Sequence, residues 1–205
     1  MNEHYYNQKP SAEHDEKFIK NLFFGKEFIF KTDAGVFSKG KVDFGSALLI
    51  KTFSHKNNAK VLDLGCGYGP IGIVVASKLV KGEVLLADIN ERAVGLAKFN
   101  INNNDNLIND NTAISVLQSS GFEEIKDKDF DYIILNPPIR AGKSVIFNMY
   151  EEASNHLKEN GELWIVIQKK QGAFSTIRKL NTIYSIVEEV EREKGYHIIK
   201  SIKNN

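Results

Sequence analysis

The chain has 205 residues, 42% hydrophobic and 26% charged, with a formal net charge of +1. That is long enough for a sizeable core, and too apolar with too little net charge for a disordered chain or a generally basic nucleic-acid binder. No apolar run approaches the roughly 18 residues that span a bilayer, residues 1–6 lack a secretory start, and the one cysteine, Cys66, excludes an intramolecular disulfide framework. With no Cys or His pair at ligand spacing, no metal is expected, and the expected setting is cytoplasmic and reducing.

Residues 1–45 read as a short cap on a core occupying 46–205, with a β-like run at 27–32 and a helix over 44–53. The apolar run 60–64 is the first core strand. Pro70 then stands where the first turn of a helix accepts it, predicting a helix to Leu79. Residues 83–87 form a second strand; Asn90 is placed to cap a helix on which Val94, Ala97 and Ile101 recur at helical spacing. The tract 100–112, with seven Asn in thirteen positions, reads as a frayed helix end and a surface loop. Residues 112–117 and 131–135 are the third and fourth strands. Val145, Met149, Ala153 and Leu157 share a helical face that Gly161 is expected to close. Residues 163–167 make a fifth strand buried on both sides, and Ile177, Leu180 and Tyr184 mark another helix. Lys194-Gly195 between two β-like runs, 185–192 and 196–202, signals a hairpin expected as an antiparallel edge. Alternating strands and helices imply an α/β, doubly wound, mostly parallel sheet.

Asp63-Leu64-Gly65-Cys66-Gly67-Tyr68-Gly69-Pro70 joins the first strand to its helix. Glycines there let the backbone turn sharply and approach a ligand at the positive end of the helix, so a nucleotide-type ligand fits. Gly67, Gly69 and Gly72 also satisfy the dinucleotide fingerprint, with Asp88 at the end of the next strand for a ribose. The register favours adenosylmethionine over NAD: glycines begin directly after the strand, and a carboxylate at Asp63 suits an ammonium better than a pyrophosphate. Cys66 has no base beside it in sequence and reads as a small residue in a tight turn.

Asn136-Pro137-Pro138-Ile139 follows the fourth strand, at the end of the sheet that faces the same crevice. An exocyclic amine or carboxamide is a poor nucleophile because its lone pair is delocalised. Two acceptors, the Asn136 side-chain oxygen and the Pro137 carbonyl, would hold its two N–H groups and turn the lone pair outward. Tandem prolines stiffen that backbone, and positioning then carries most of the rate.

These residues resemble the class I adenosylmethionine-dependent methyltransferases, and more narrowly the RsmC-like, YbxB-type "methyltransferase small" family. The resemblance also runs through residues 35–38, 43–46, 136–143 and 163–172. It implies a Rossmann-like sheet of seven strands with an antiparallel last strand, and S-adenosylmethionine as cofactor. It implies a cofactor site of Asp43, Asp63, Gly65, Cys66, Gly67, Gly69, Asp88, Ile89, Ser119, Ser120 and Asn136, and a catalytic group of Asn136, Pro137, Pro138 and Ile139. The family's usual acid near the end of the third strand is replaced by hydroxyls at Ser119 and Ser120.

The partner implied is RNA, with guanine N2 of ribosomal small-subunit RNA as the target. Charge by thirds is +3 over 1–60, −5 over 61–135 and +3 over 136–205, so a polyanion should approach along the flanks. Phe37, Arg140, Lys143, Lys169 and Lys170 are the candidate substrate contacts, with Arg178 and Lys179 beyond them. A protein glutamine, a small amine, or a non-catalytic adenosylmethionine- or RNA-binding subunit are the alternatives. Enzymes of protein glutamine usually carry Tyr after Asn-Pro-Pro, where this chain has Ile139.

Overall fold

In the computed structural model, which describes residues 12–38 and 40–204, five strands run parallel. They are β3 (Asn58–Leu64), β4 (Lys81–Asp88), β5 (Thr112–Gln118), β6 (Phe130–Leu135) and β7 (Leu157–Gln168). A closing hairpin, β8 (Ile186–Glu193) and β9 (Tyr196–Ile202), completes a seven-stranded sheet of order β5-β4-β3-β6-β7-β9-β8. This is the expected architecture: the hairpin forms the edge of the sheet, with the last strand β9 antiparallel between β7 and β8, and β8 outermost. Lys194 and Gly195, at φ 49° and 78°, make the hairpin turn that the sequence signals.

Both faces of the sheet are covered. Val61, Ile134, Trp164, Val166 and Ile198 pack with α1 (Phe44–Thr52), α2 (Pro70–Ala76) and α3 (Glu91–Asn103) in one buried cluster. Leu62, Leu64, Ile133, Leu135 and Ile165 pack on the other face with α4 (Lys143–His156) and α5 (Ala173–Leu180). Phe53 meets Tyr132 and Trp164 edge-on at 5.3 and 5.2 Å, pairs that each add about 0.5–1.5 kcal/mol beyond their buried area. Asn90 caps α3 as predicted, accepting from the N–H groups of Arg92 and Ala93. No helix among the described residues is long and apolar enough to cross a membrane.

Ahead of the core, β1 (Lys17–Phe23) and β2 (Lys26–Thr32) form a separate antiparallel hairpin through Phe24-Gly25. Phe28 and Phe30 of β2 are fully buried. The tract expected as a frayed helix end and a surface loop does end α3, and its first residues hold this hairpin. Asn100 of α3 and Asn104, the C-cap of that helix, are one turn apart, buried, and face it. Asn100 Oδ1 accepts the Lys31 N–H at 2.6 Å and its Nδ2 donates to the Lys31 and Tyr68 carbonyls. Asn104 bonds both the N–H and the carbonyl of Ile29. A side-chain amide satisfies strand backbone that, among the described residues, has no neighbouring strand on that side.

Further details differ from expectation. The helix of Val145 ends at His156, and Gly161 lies inside β7, where a Cβ would stand 2.9 Å from the Lys158 carbonyl and 3.0 Å from that of Phe130. The buried face of that helix is Ile146, Tyr150 and Ala153, and Val145 is exposed. Tyr184 lies past the end of α5. A boundary at residue 45 falls within α1, and the stretch 1–6 that lacks a secretory start lies outside the described residues.

Candidate active site

The crevice forms where the chain reverses its direction across the sheet. Leu64 of β3 pairs with Ala87 of β4 on one side and Leu135 of β6 on the other. The residues that follow, Gly65, Asp88 and Asn136, therefore leave three neighbouring strands side by side. They line one cavity of about 460 Å³ at the carboxyl end of the sheet.

Gly65 and Gly67 have φ of 70° and 57°, and a Cβ on either would meet nothing within 4 Å. The loop thus takes a backbone shape that glycine adopts without strain and keeps its surface open for close approach. Asp88 braces it from the next strand, its two oxygens accepting the N–H groups of Gly67 at 2.8 Å and Asn90 at 2.9 Å. The Ile89 N–H also faces this carboxylate, which lines the cavity where a ribose hydroxyl can meet it. Tyr68 also lines the cavity, and its buried hydroxyl has no hydrogen-bond partner among the described residues. An open glycine cradle, a carboxylate and an orphaned hydroxyl suit a ligand with ribose and amino-acid parts.

Asn136, Pro137, Pro138 and Ile139 line the opposite wall. Asn136 Nδ2 donates to Ser46 Oγ at 3.0 Å, which fixes the orientation of the amide and leaves Oδ1 as the end not engaged by Ser46. Ser46 is set in turn by Asp43, the N-cap of α1, whose Oδ1 accepts the Ser46 N–H at 3.1 Å. The Pro138 carbonyl accepts from Ala141 at 2.8 Å, whereas the Pro137 carbonyl accepts from no described residue. One amide oxygen and one proline carbonyl are thereby available together.

Not every expected contact reaches the cavity. Asp43, Gly65, Cys66, Gly67, Asp88, Ile89 and Ser119 line it; Asp63, Gly69 and Ser120 do not. Asp63 is buried beneath the loop, accepting the Gly72 N–H at 2.8 Å, and burial with Asp88 nearby pushes its carboxyl up to about 7. Gly69 is the N-cap of α2 at φ 92°, and a Cβ would lie 3.0 Å from Ile73 and Leu86. The Ser119 hydroxyl is committed to its own turn, donating to the Gly121 carbonyl and accepting from the Glu124 N–H. Burial and the nearby carboxylates Asp88 and Asp63 push the Cys66 thiol up, so it is no nucleophile.

The cation set divides as well. Phe37, 40% exposed, and Arg140 line the main cavity, Lys143 and Lys170 line a neighbouring one, and Lys169 lines neither. Lys179 is paired with Glu151. Ser46, Tyr68, Gln171 and Tyr196, none of them among the expected site residues, also line the main cavity. Tyr196 has a sequence trace only in retrospect: a Cβ on Gly45 would stand 2.7 Å from its ring. Away from the cavity, His14, Glu16 and Asp33 come together at the cap, a grouping the sequence spacing does not show. Its carboxylates are occupied: Glu16 pairs with Lys31 at 2.6 Å, and Asp33 accepts the Asp15 and Ala34 N–H groups with Arg92 at 3.6 Å.

Residues 27–200 match the methyltransferase small domain. The chain belongs to that family of S-adenosylmethionine-dependent methyltransferases. It is 45% identical over 205 residues to the Bacillus subtilis (strain 168) protein YbxB, covering 99% of this chain and 100% of that one. It is 37% identical to ribosomal RNA small subunit methyltransferase C of Buchnera aphidicola subsp. Cinara cedri, over 74% of this chain and 43% of the relative. The chain thus spans about half the length of the methyltransferase C relatives it matches. Among solved structures, the T. thermophilus 16S rRNA N2 methyltransferase RsmC, determined with AdoMet and guanosine, superposes with a TM-score of 0.78 at 22% identity, covering 92% of this chain and 51% of that one. That likeness establishes the Rossmann-like methyltransferase fold.

Proposed function

We propose that this chain methylates an exocyclic amine of ribosomal small-subunit RNA, with guanine N2 as the target. The observation that supports this most is the pairing of Leu64 with Leu135, which sets the Asn136 amide beside the glycine loop in one cavity. S-adenosylmethionine supplies an electrophilic methyl on a positively charged sulfur when bound. Gly65, Gly67 and Asp88 hold its amino-acid and ribose parts, with Tyr68 and Asp43 near the former. Asn136 Oδ1 and the Pro137 carbonyl accept the two N–H groups of the target amine and turn its lone pair toward the methyl. Phe37 and Ile139 flank the amine's ring, and Pro138 stiffens the strand end that carries the acceptors. No side chain need act as a strong base, because the nitrogen becomes acidic once methylated. The names of relatives that act on ribosomal RNA and the cationic Arg140 at the cavity favour RNA over a small amine.

Asn136→Ala tests the assignment. Cofactor affinity by titration should stay within about two-fold of the parent, while turnover falls by at least about 100-fold. Retained turnover would defeat it. Treating small-subunit RNA with labelled cofactor and resolving its nucleosides by mass spectrometry should yield N2-methylguanosine; label on another nucleoside would move the target.

A further inference from the structure

A second cavity, of about 390 Å³, opens beside the first between the start of α4 and the turn into α5. Ile139 and Gln171 line both, so the two cavities share a wall. The second cavity combines an aromatic ring, Phe147, with two cations, Lys143 and Lys170. Lys143 Nζ stands 5.2 Å from the centre of the Phe147 ring. Neither lysine forms an ion pair among the described residues, in contrast to Lys179, which Glu151 neutralises. A ring with uncompensated ammonium groups, one wall away from a site for a base, matches a base joined to a phosphate. Single strands are held by this combination of stacking on aromatic rings and cations along the backbone.

We infer that this cavity receives the nucleotide adjacent to the target in a single RNA strand, with its base against Phe147 and its phosphate between Lys143 and Lys170. The inference rests on the RNA reading above. Both bases must leave the stack to enter their cavities, so duplex RNA is excluded and a strand is bound more tightly than a nucleoside. Stacking is tolerant of base identity, so the neighbouring cavity adds affinity with little sequence preference.

Fluorescence anisotropy with a labelled single-stranded oligoribonucleotide, together with methyl transfer to the same strand, tests this in the parent, Lys143→Gln/Lys170→Gln, Phe147→Ala and Phe147→Leu. The lysine double variant should bind the strand about ten-fold or more weakly, and the slope of log affinity on log salt should shrink by roughly one. Each Phe147 variant should lose between about five- and a hundred-fold. Phe147→Leu keeps apolar volume without a ring, and equal cofactor affinity in all variants shows that they are folded. Parent-like strand affinity and salt slope in the variants, with a parent that binds and methylates RNA, overturns the cavity assignment alone. A parent that neither binds nor methylates RNA overturns the RNA reading, and the ligand of this cavity with it.

Discussion

An asparagine amide has two ends of nearly equal size and opposite hydrogen-bonding character, so its orientation must be imposed from outside. Ser46 imposes it here, 3.0 Å from Asn136 Nδ2. Ser46→Ala is expected to lower kcat about ten-fold or more, leave cofactor affinity unchanged, and be largely restored by Ser46→Thr; steady-state kinetics with a cofactor titration reads all three. Asp63 makes a different prediction. Its carboxyl moves from 3.8 to about 7 on folding, so between those values the native chain holds a proton that the unfolded chain has released. Stability of the cofactor-free protein therefore falls as pH rises through that window, by at most about 1.4 kcal/mol per pH unit from this group, and levels off above about 7. Burial of Asp88 acts in the same direction. Denaturant midpoints from pH 5 to 8 should show the slope in the parent and a flatter line in Asp63→Asn, whose amide oxygen still accepts the Gly72 N–H.

At the scale of elements, the β1–β2 hairpin depends on two side chains of α3. Asn100→Ala leaves the Lys31 N–H and carbonyl and the Tyr68 carbonyl without their partner, at a cost of about 1–3 kcal/mol for each group left buried and unpaired. The melting temperature should drop by roughly 5 °C or more, since each kcal/mol is worth about 2–4 °C in a domain of this size. The sequence carried the parts of this element without their meaning. Composition marks an Asn-rich tract as a frayed helix end and a loop, and only the four-residue spacing of Asn100 and Asn104 hints at a helix face turned toward strands. The parallel strands were legible because burial on two sides writes itself as unbroken apolar runs such as residues 163–167. Gly161 was misread because glycine closes helices and also fills tight strand crossings, and only the nearby carbonyls distinguish the two. The cavity's glycine and Asn-Pro-Pro walls were legible as motifs. Ser46 and Tyr196 were not, because long-range packing brings them there.

Over the whole molecule the charge is nearly balanced, +1 in total, yet Arg140 lines the main cavity and Lys143 and Lys170 the one beside it. An RNA substrate should therefore be steered locally. Its KM should rise several-fold between about 50 and 200 mM salt while kcat changes little, because counterion release acts on binding. A salt-independent KM would point to an uncharged substrate.

The placement of β9 between β7 and β8 makes the sheet unusually intolerant of shortening. A chain cut before Tyr196 forfeits two strands, because β8 has no other partner among the described residues, and it removes the Tyr196 ring from the cavity lining. The newly bared rim of β7, with Trp164 and Ile165 in its middle, would offer unpaired amides flanked by greasy side chains to any passing strand. Such a fragment should be recovered as aggregates rather than as a smaller, slower enzyme.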